Sequence, residues 1–167
     1  MKARAAAGTL LFLVLAPGIV AGLVPWWLTG WDVRTPLPFW LPARIAGIVL
    51  LSGGVIVLLH AFVRFVVEGV GTPAPVAPTR RLVVGGLYRY VRNPMYLAVE
   101  AMILGQGLAL GRVVLLLYGL LFAALVFAFV RAYEEPTLRR QFGEQYEQYR
   151  RSVPGWWPRR DPWQASR

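Results

Sequence analysis

The chain has 167 residues, of which 57% are hydrophobic, and it carries a net charge of +10. Its mean hydropathy of +0.51 is too high for an ordinary soluble domain. The sequence has no cysteine, which excludes disulfides and thiolate metal ligands, and its single histidine, His60, excludes a multi-histidine metal site. We therefore expect no metal. Because the basic residues alternate with long apolar runs, we expect a membrane protein and no nucleic-acid partner.

Four apolar segments, taken in chain order, are candidate transmembrane helices. They cover residues 9–28, 43–67, 94–110 and 113–130. The stretches 29–42 and 68–86 contain several prolines, which favours loops. Gly111 and Arg112 form a short connection between the last two segments, so these segments are expected to form a helical hairpin.

Basic residues are distributed unequally between the two ends of the predicted bundle. Four spans place both termini on one side, and the other side has only Arg34, Arg44 and Arg112. The side that is rich in positive charge is expected to be cytoplasmic. We therefore expect an integral protein of a bacterial-type inner (cytoplasmic) membrane, with the lipid bilayer as a partner and both termini in the cytoplasm.

Residues 134–151 are charged and amphipathic, and they predict a C-terminal helix that lies at the membrane interface. The expected fold class is all-α, an integral membrane helical bundle of about four transmembrane helices plus this amphipathic interfacial helix. The length is typical of one domain, so residues 1–167 are expected to form a single domain.

Asn93 and Pro94 predict the start of the third span, since Asn is a strong N-cap and Pro is favoured at the first helical position. The N–H groups at this helix end, with Arg92 beside them, would attract an anion. The alternative is a capped helix with arginines and tyrosines that anchor it at the interface. These residues alone do not choose between the two interpretations.

A second group of charged residues follows the fourth span. Arg131 and Glu135 are four residues apart and are expected to share a helix face, and Glu134 adds a second acid. The two carboxylates would meet a cation or sugar hydroxyls, or they form an ordinary solvated ion pair. The hairpin predicts that this group faces the start of the third span.

Glu100 is an acid within the third span, where such residues usually have a partner or a function. It is expected either to pair with Arg64 or His60 of the second span or to line a tunnel for a substrate. Pairing inside the bundle is the preferred interpretation.

Four motifs occur in one order between residues 69 and 159, namely "GTPAPVAP", "GGLYRYVRNPMY", "EEPTLRRQFGEQYEQY" and "VPGWWPR". Together they resemble the isoprenylcysteine carboxyl methyltransferase family and its bacterial relatives, which are also similar to phospholipid N-methyltransferases. The family pattern Arg-His-Pro-x-Tyr-x-Gly is matched by Arg92, Pro94 and Tyr96. Asn93 replaces the His and Ala98 replaces the Gly, which weakens transfer of prenylcysteine specificity more than transfer of cofactor binding.

The resemblance implies an integral-membrane enzyme that uses S-adenosylmethionine at the cytoplasmic interface. Its acceptor would be a hydrophobic small molecule or a lipidated molecule that enters from the bilayer. The reaction would be isoprenylcysteine-type carboxylate O-methylation or a related transfer. The alternatives are methylation of a phospholipid amine and a non-enzymatic scaffold that binds anionic lipids.

Carried over by position, the resemblance implies cofactor contacts at Leu82, Val83, Tyr88, Asn93, Pro94, Met95, Tyr96 and Glu134. It also implies that Arg131 and Glu135 are the catalytic pair. Which of Glu134 and Glu135 holds the cofactor is left open.

Overall fold

The computed structural model describes residues 15–68 and 82–164, and these residues form helices, turns and loops without a strand. The all-α class is therefore confirmed for the described residues. Residues 9–14 of the first predicted span and the motif "GTPAPVAP" lie outside them.

Six helices follow one another along the described chain. They are α1 (Leu15–Thr29), α2 (Leu41–Glu68), α3 (Pro94–Leu110), α4 (Val113–Phe129), α5 (Glu135–Phe142) and α6 (Glu144–Ser152). A short 3₁₀ helix at Gly86–Arg89 precedes α3, and a π-helical turn at Val130–Glu134 joins α4 to α5. The third predicted segment coincides with α3, and the second and fourth differ from α2 and α4 by one or two residues at their ends.

Glycines allow α2 and α3 to pack closely and in opposite directions. A Cβ at Gly47 would lie 2.5 Å from Ala109 N, and a Cβ at Gly54 would lie 2.8 Å from Ala98 O. A Cβ at Gly105 of α3 would lie 2.6 Å from Leu51 N. Small residues at such contacts let helix backbones approach each other.

Gly111 produces the predicted hairpin between α3 and α4. Its φ of 66° is left-handed, and its N–H donates to Leu108 O while Arg112 N–H donates to Gly107 O. These two bonds form the Schellman motif that commonly ends a helix at a glycine. The hairpin brings the end of α4 back toward the start of α3.

A π-helical turn in α1 frees two carbonyl groups, and side chains from α3 and α4 bind both. Ala21 O lacks its usual partner because Pro25, four residues later, has no N–H. Val20 O lacks its partner because the Val24 N–H donates to Ile19 O instead. Gln106 Nε2 donates to Ala21 O at 2.7 Å, and Tyr118 Oη donates to Val20 O at 2.9 Å. These bonds attach α1 to the α3–α4 hairpin.

Two continuous helical stretches of the described chain are long and apolar enough to cross a membrane. They are Leu41–Arg64, within α2, and Val113–Phe142, which runs from α4 through the π-helical turn to the end of α5. Their most apolar windows are only 28% and 22% buried, whereas the core helix of a soluble protein would be mostly buried. Helix α3 has 17 residues, which is about 25 Å at 1.5 Å per residue, and a bilayer core is about 30 Å thick. Two of the four predicted spans thus meet the length criterion, and the four-span topology stays a prediction.

The predicted C-terminal amphipathic helix is divided at Gly143, whose φ is 54°. Tyr146 and Tyr149 of α6 are 2% and 3% exposed and pack with Val153 against Leu82 and neighbouring residues. One face of α6 therefore packs on the protein itself.

The segment after α6 runs beside the residues that precede α3. Pro154 O accepts from Arg92 N, Tyr90 O accepts from Arg159 N, and Arg89 O accepts from Trp163 N. This pairing places the C-terminal segment against the start of α3.

Candidate active site

A polar cavity of about 90 Å³ lies where the segment before α3 meets the end of α4 and the two C-terminal helices. It is lined by Leu82, Val83, Tyr88, Arg92, Asn93, Val130, Glu134, Glu135, Leu138, Tyr146 and Tyr149. Six of these residues were predicted from the sequence, namely Leu82, Val83, Tyr88, Asn93, Glu134 and Glu135. The other predicted site residues, Pro94, Met95, Tyr96 and Arg131, do not line it.

Asn93 occupies the N-cap position of α3, but its side chain does not cap the helix. Its amide nitrogen Nδ2 is buried and has no hydrogen-bond partner among the described residues. The prediction of a capped helix start is therefore right in position and wrong in the bond that was expected. A buried donor without a partner is costly, so this amide is a candidate contact for an acceptor atom of a ligand.

Glu134 lies in the π-helical turn and reaches the first turn of α3. Tyr96 Oη donates to Glu134 Oε2 at 2.9 Å. The Tyr96 side chain, which does not line the polar cavity, thus contacts a residue that does. Single π-helical turns within α-helices are frequent at functional sites.

Glu135 pairs with two arginines that come from other parts of the chain. Arg92 Nη1 lies 2.8 Å and Arg150 Nε 3.6 Å from its carboxylate oxygens, and the Glu135 side chain is 12% exposed. Arg92 also donates to Tyr146 Oη at 3.1 Å and to Val153 O at 2.9 Å. Two positive charges therefore balance Glu135, which leaves Glu134 as the better candidate for a ligand contact.

Arg131 does not join this group. It is exposed, and the ion pairs that Glu135 forms are those with Arg92 and Arg150. The structure does not bring Arg131 and Glu135 into an ion pair, because the Glu135 carboxylate lies against Arg92 and Arg150. A catalytic role for Arg131 stays a prediction.

Two buried tyrosines of α6 complete the polar cavity. Burial raises the pKa of Tyr146, an effect that the positive charge of Arg92 opposes. Burial also raises the pKa of Tyr149, whose hydroxyl donates to Tyr88 O at 2.7 Å. Both hydroxyls therefore stay protonated at neutral pH and can donate hydrogen bonds.

Sequence reasoning did not assign Tyr146, Tyr149, Val130 or Leu138 to the site. The helical spacing of the two tyrosines was a usable signal, since it shows that they share a face. The spacing does not show whether that face packs against the rest of the protein or against the membrane.

Two apolar spaces flank α3. The α2–α3 groove has a volume of about 720 Å³ and is lined by Pro94, Leu97 and residues of α2. The α3–α4 cavity has a volume of about 280 Å³ and is lined by residues that include Tyr96 and Glu100. Met95 instead packs against the buried cluster of Ala61, Val83 and Tyr88.

Glu100 faces α4, and its preferred pairing with His60 or Arg64 is not found. Its Oε1 lies 3.0 Å from the position that a Cβ on Gly119 of α4 would take. His60 Nε2 and Arg64 Nε lie against Gly86, at 2.9 Å and 2.7 Å from the corresponding Cβ position. Glu100 instead lines the α3–α4 cavity, and a role toward a substrate stays a prediction.

Comparison with known proteins identifies the family. A model of the phospholipid methyltransferase family matches residues 42–145, which is more than half of the chain. Over 76 residues the chain is 40% identical to the Protein-S-isoprenylcysteine O-methyltransferase of Schizosaccharomyces pombe (strain 972 / ATCC 24843), with 44% of this chain and 31% of that protein covered. The chain thus spans about a third of the length of this relative. No solved structure matches the chain. As the sequence motifs predicted, the chain belongs to the phospholipid methyltransferase family.

Proposed function

We propose that the protein is an S-adenosylmethionine-dependent membrane methyltransferase that acts on a lipid-like acceptor. Family membership supports methyl transfer. The observation that carries the proposal is a polar cavity, lined by Asn93 and Glu134, that adjoins an apolar cavity through the side chain of Tyr96. A charged cofactor and an apolar acceptor need two such neighbouring environments.

The residues of the polar cavity fit the amino-acid end of S-adenosylmethionine. The Asn93 amide and the positive end of α3 suit its carboxylate, and the Glu134 carboxylate suits its ammonium group or a ribose hydroxyl. Ligand pockets usually have about 300–1,000 Å³, so a cavity of about 90 Å³ holds only part of the cofactor. When bound, the cofactor supplies a methyl group on a positively charged sulfur.

Several other residues have supporting roles in this proposal. Arg92 and Arg150 hold Glu135, and through it the start of α5, in a fixed position. Tyr96 holds the Glu134 carboxylate and borders both the cofactor site and the acceptor site. Tyr88 contributes an aromatic face to the cavity, and aromatic faces attract cationic groups such as a sulfonium.

The acceptor is proposed to be a prenylated thiol acid, since the relative from Schizosaccharomyces pombe is a Protein-S-isoprenylcysteine O-methyltransferase, or a related lipid-like molecule. A second candidate is the amine of a phospholipid, which the name of the matching family favours. Either acceptor would enter from the bilayer beside α3. The same proposal includes a single domain over residues 1–167. It also places the protein in a bacterial-type inner membrane with both termini in the cytoplasm, and reporter fusions after residues 5 and 160 test this orientation.

A non-enzymatic scaffold that binds anionic lipids is less compatible with this site. A surface that attracts lipid phosphates has no use for a buried acid such as Glu135, which pairs with Arg92 and Arg150. The two functions are distinguished by titrating the purified protein in detergent with S-adenosylmethionine, followed by transfer of labelled methyl into a lipid extract. Binding and transfer are expected, and the absence of both would reject the enzyme.

A further inference from the structure

The α3–α4 cavity combines aromatic rings with one acid. Phe122, Phe127 and Trp156 contribute rings, Glu100 contributes a carboxylate, and none of the residues that line the cavity is basic. Phe127 and Trp156 lie with their ring centroids 5.9 Å apart, so the C-terminal segment covers one end of the cavity. The cavity is therefore an apolar space with a single charged group in its wall.

The carboxylate of Glu100 has no balancing charge of its own. Oxygen Oε2 is buried and has no hydrogen-bond partner among the described residues. The nearby hydroxyl of Tyr118 donates to Val20 O instead. An unpaired acid in apolar surroundings is destabilising, and a ligand that carries a positive charge would remove this penalty.

The same cavity reaches the proposed cofactor site. Tyr96 lines the α3–α4 cavity, and its hydroxyl donates to Glu134 Oε2 in the wall of the polar cavity. Glu100 is four residues after Tyr96 and lies on the same face of α3. A head group beside Glu100 thus lies next to the side chain that borders the polar cavity.

We propose that Glu100 is the specificity-determining residue of the acceptor site and that it selects a head group with an amine, bound in its ammonium form, over one with a carboxylate. The ammonium must give one proton to the Glu100 carboxylate before its nitrogen lone pair can form the bond to the methyl carbon, while the bond from that carbon to sulfur breaks. This inference rests on the proposed function and favours the second of its two acceptor candidates, the amine. The carboxylate of Glu100 and the faces of the surrounding rings attract an ammonium group, whereas a carboxylate beside Glu100 is repelled. The larger α2–α3 groove has no charged residue in its lining, so it takes an apolar chain and does not choose the head group.

Two probes with the same tail test the inference. S-farnesylcysteamine ends in an amine and S-farnesylthioacetic acid ends in a carboxylate. The kcat/KM for each is measured with the full chain in detergent and labelled S-adenosylmethionine. In parallel, the rise in melting temperature that each probe causes is measured without the cofactor.

The wild-type protein is expected to prefer the amine in both measurements. Glu100→Gln should lower kcat/KM for the amine about tenfold or more, because hydrogen bonds between charged groups are the strong ones, and should leave the acid unchanged or improved. Glu144→Gln is the matched control, since Glu144 is exposed on α6. If Glu100→Gln does not fold, Glu100→Asp serves as the second variant and should retain the preference for the amine.

Preference for the acid, or equal losses for both probes in Glu100→Gln, would overturn the inference and leave the proposed methyl transfer intact. If neither probe is methylated, the melting temperatures decide. The inference is supported if the amine raises the melting temperature of the wild-type protein more than the acid does and if Glu100→Gln abolishes this difference. Equal rises in melting temperature with both probes reject the inference. Failure of the proposed function shows up separately, as absence of S-adenosylmethionine binding.

Discussion

Tyr96 and Glu134 are joined by a 2.9 Å hydrogen bond, although 38 residues separate them in the sequence. The bond connects the first turn of α3 to the π-helical turn after α4. Because Tyr96 lines the apolar α3–α4 cavity and Glu134 lines the polar cavity, this contact is the boundary between the two proposed ligand sites.

Tyr96→Phe removes the hydroxyl that binds Glu134 and keeps the ring. We expect the free energy of unfolding to fall by about 1–3 kcal/mol, the usual cost of leaving a buried polar group without a partner, and the affinity for S-adenosylmethionine to fall with it. Thermal melting and calorimetric titration measure the two effects. Tyr133→Phe is the control, since Tyr133 is exposed, and equal behaviour of the two variants would contradict the prediction.

Glu134→Gln and Glu135→Gln make the same chemical change at adjacent positions with different expected results. Gln at 134 still accepts from Tyr96, so the melting temperature should stay near the wild-type value while cofactor affinity falls about tenfold or more. Gln at 135 removes the charge partner of Arg92 and one of the two carboxylates beside Arg150, so the free energy of unfolding should fall by about 1–3 kcal/mol. The same two measurements apply, and loss of affinity without loss of stability at 135 would reverse the proposed roles.

Arg131→Ala tests the catalytic role that the family resemblance implies. Arg131 is exposed, so stability should change by no more than about 0.5 kcal/mol, and cofactor affinity should be unchanged. Methyl transfer to a lipid extract should nevertheless be reduced if the side chain meets the acceptor. Arg140→Ala changes another exposed arginine, on α5, and equal transfer rates in both variants would remove Arg131 from the reaction.

Asn93→Leu removes an amide that does not cap its helix. Loss of a functioning N-cap typically costs about 1 kcal/mol, but here the Asn93 amide has no such bond, so the melting temperature should not fall. Affinity for S-adenosylmethionine should fall, because the buried donor Nδ2 is lost. A large drop in melting temperature with unchanged affinity would show that the residue is structural.

Gln106→Leu tests the attachment of α1, far from both proposed sites. Gln106 donates to Ala21 O and accepts from Trp31 Nε1, so its loss leaves a buried carbonyl unsatisfied, which typically costs about 1–3 kcal/mol. Thermal melting should report this loss while cofactor affinity per folded molecule stays at the wild-type value. Unchanged stability would mean that another group satisfies Ala21 O.

The parts of the fold that the sequence predicted well depend on short-range signals. Asn93-Pro94 and Gly111 mark the ends of α3 to the residue, because an N-cap with proline and a left-handed glycine act on their own helix. Long apolar runs predicted α2 and α4 in the same way. Neither signal needs knowledge of distant residues.

The parts that were missed depend on partners far along the chain. Glu135 was expected to meet Arg131, four residues away, yet it binds Arg92, which is 43 residues away. Two nearby charges that can pair need not do so when a buried partner gives a closer contact. The π-helical turn at Val130–Glu134 ends two residues before Pro136, as the turn in α1 ends two residues before Pro25. The proline marks a break in the helix, but it does not show which distant side chain Glu134 meets.

The pairing of residues 89–92 with the C-terminal segment has a consequence for the order of assembly during synthesis. Arg92 binds Val153, 61 residues later, and Arg89 binds Trp163, 74 residues later. Gly155 lies against the side chains of Arg92 and Asn93, since a Cβ there would be 3.2 Å and 3.5 Å from their nitrogens. The start of α3 therefore leaves the ribosome well before the residues that enclose it, and the polar cavity can form only when the hairpin and the two C-terminal helices have also been made.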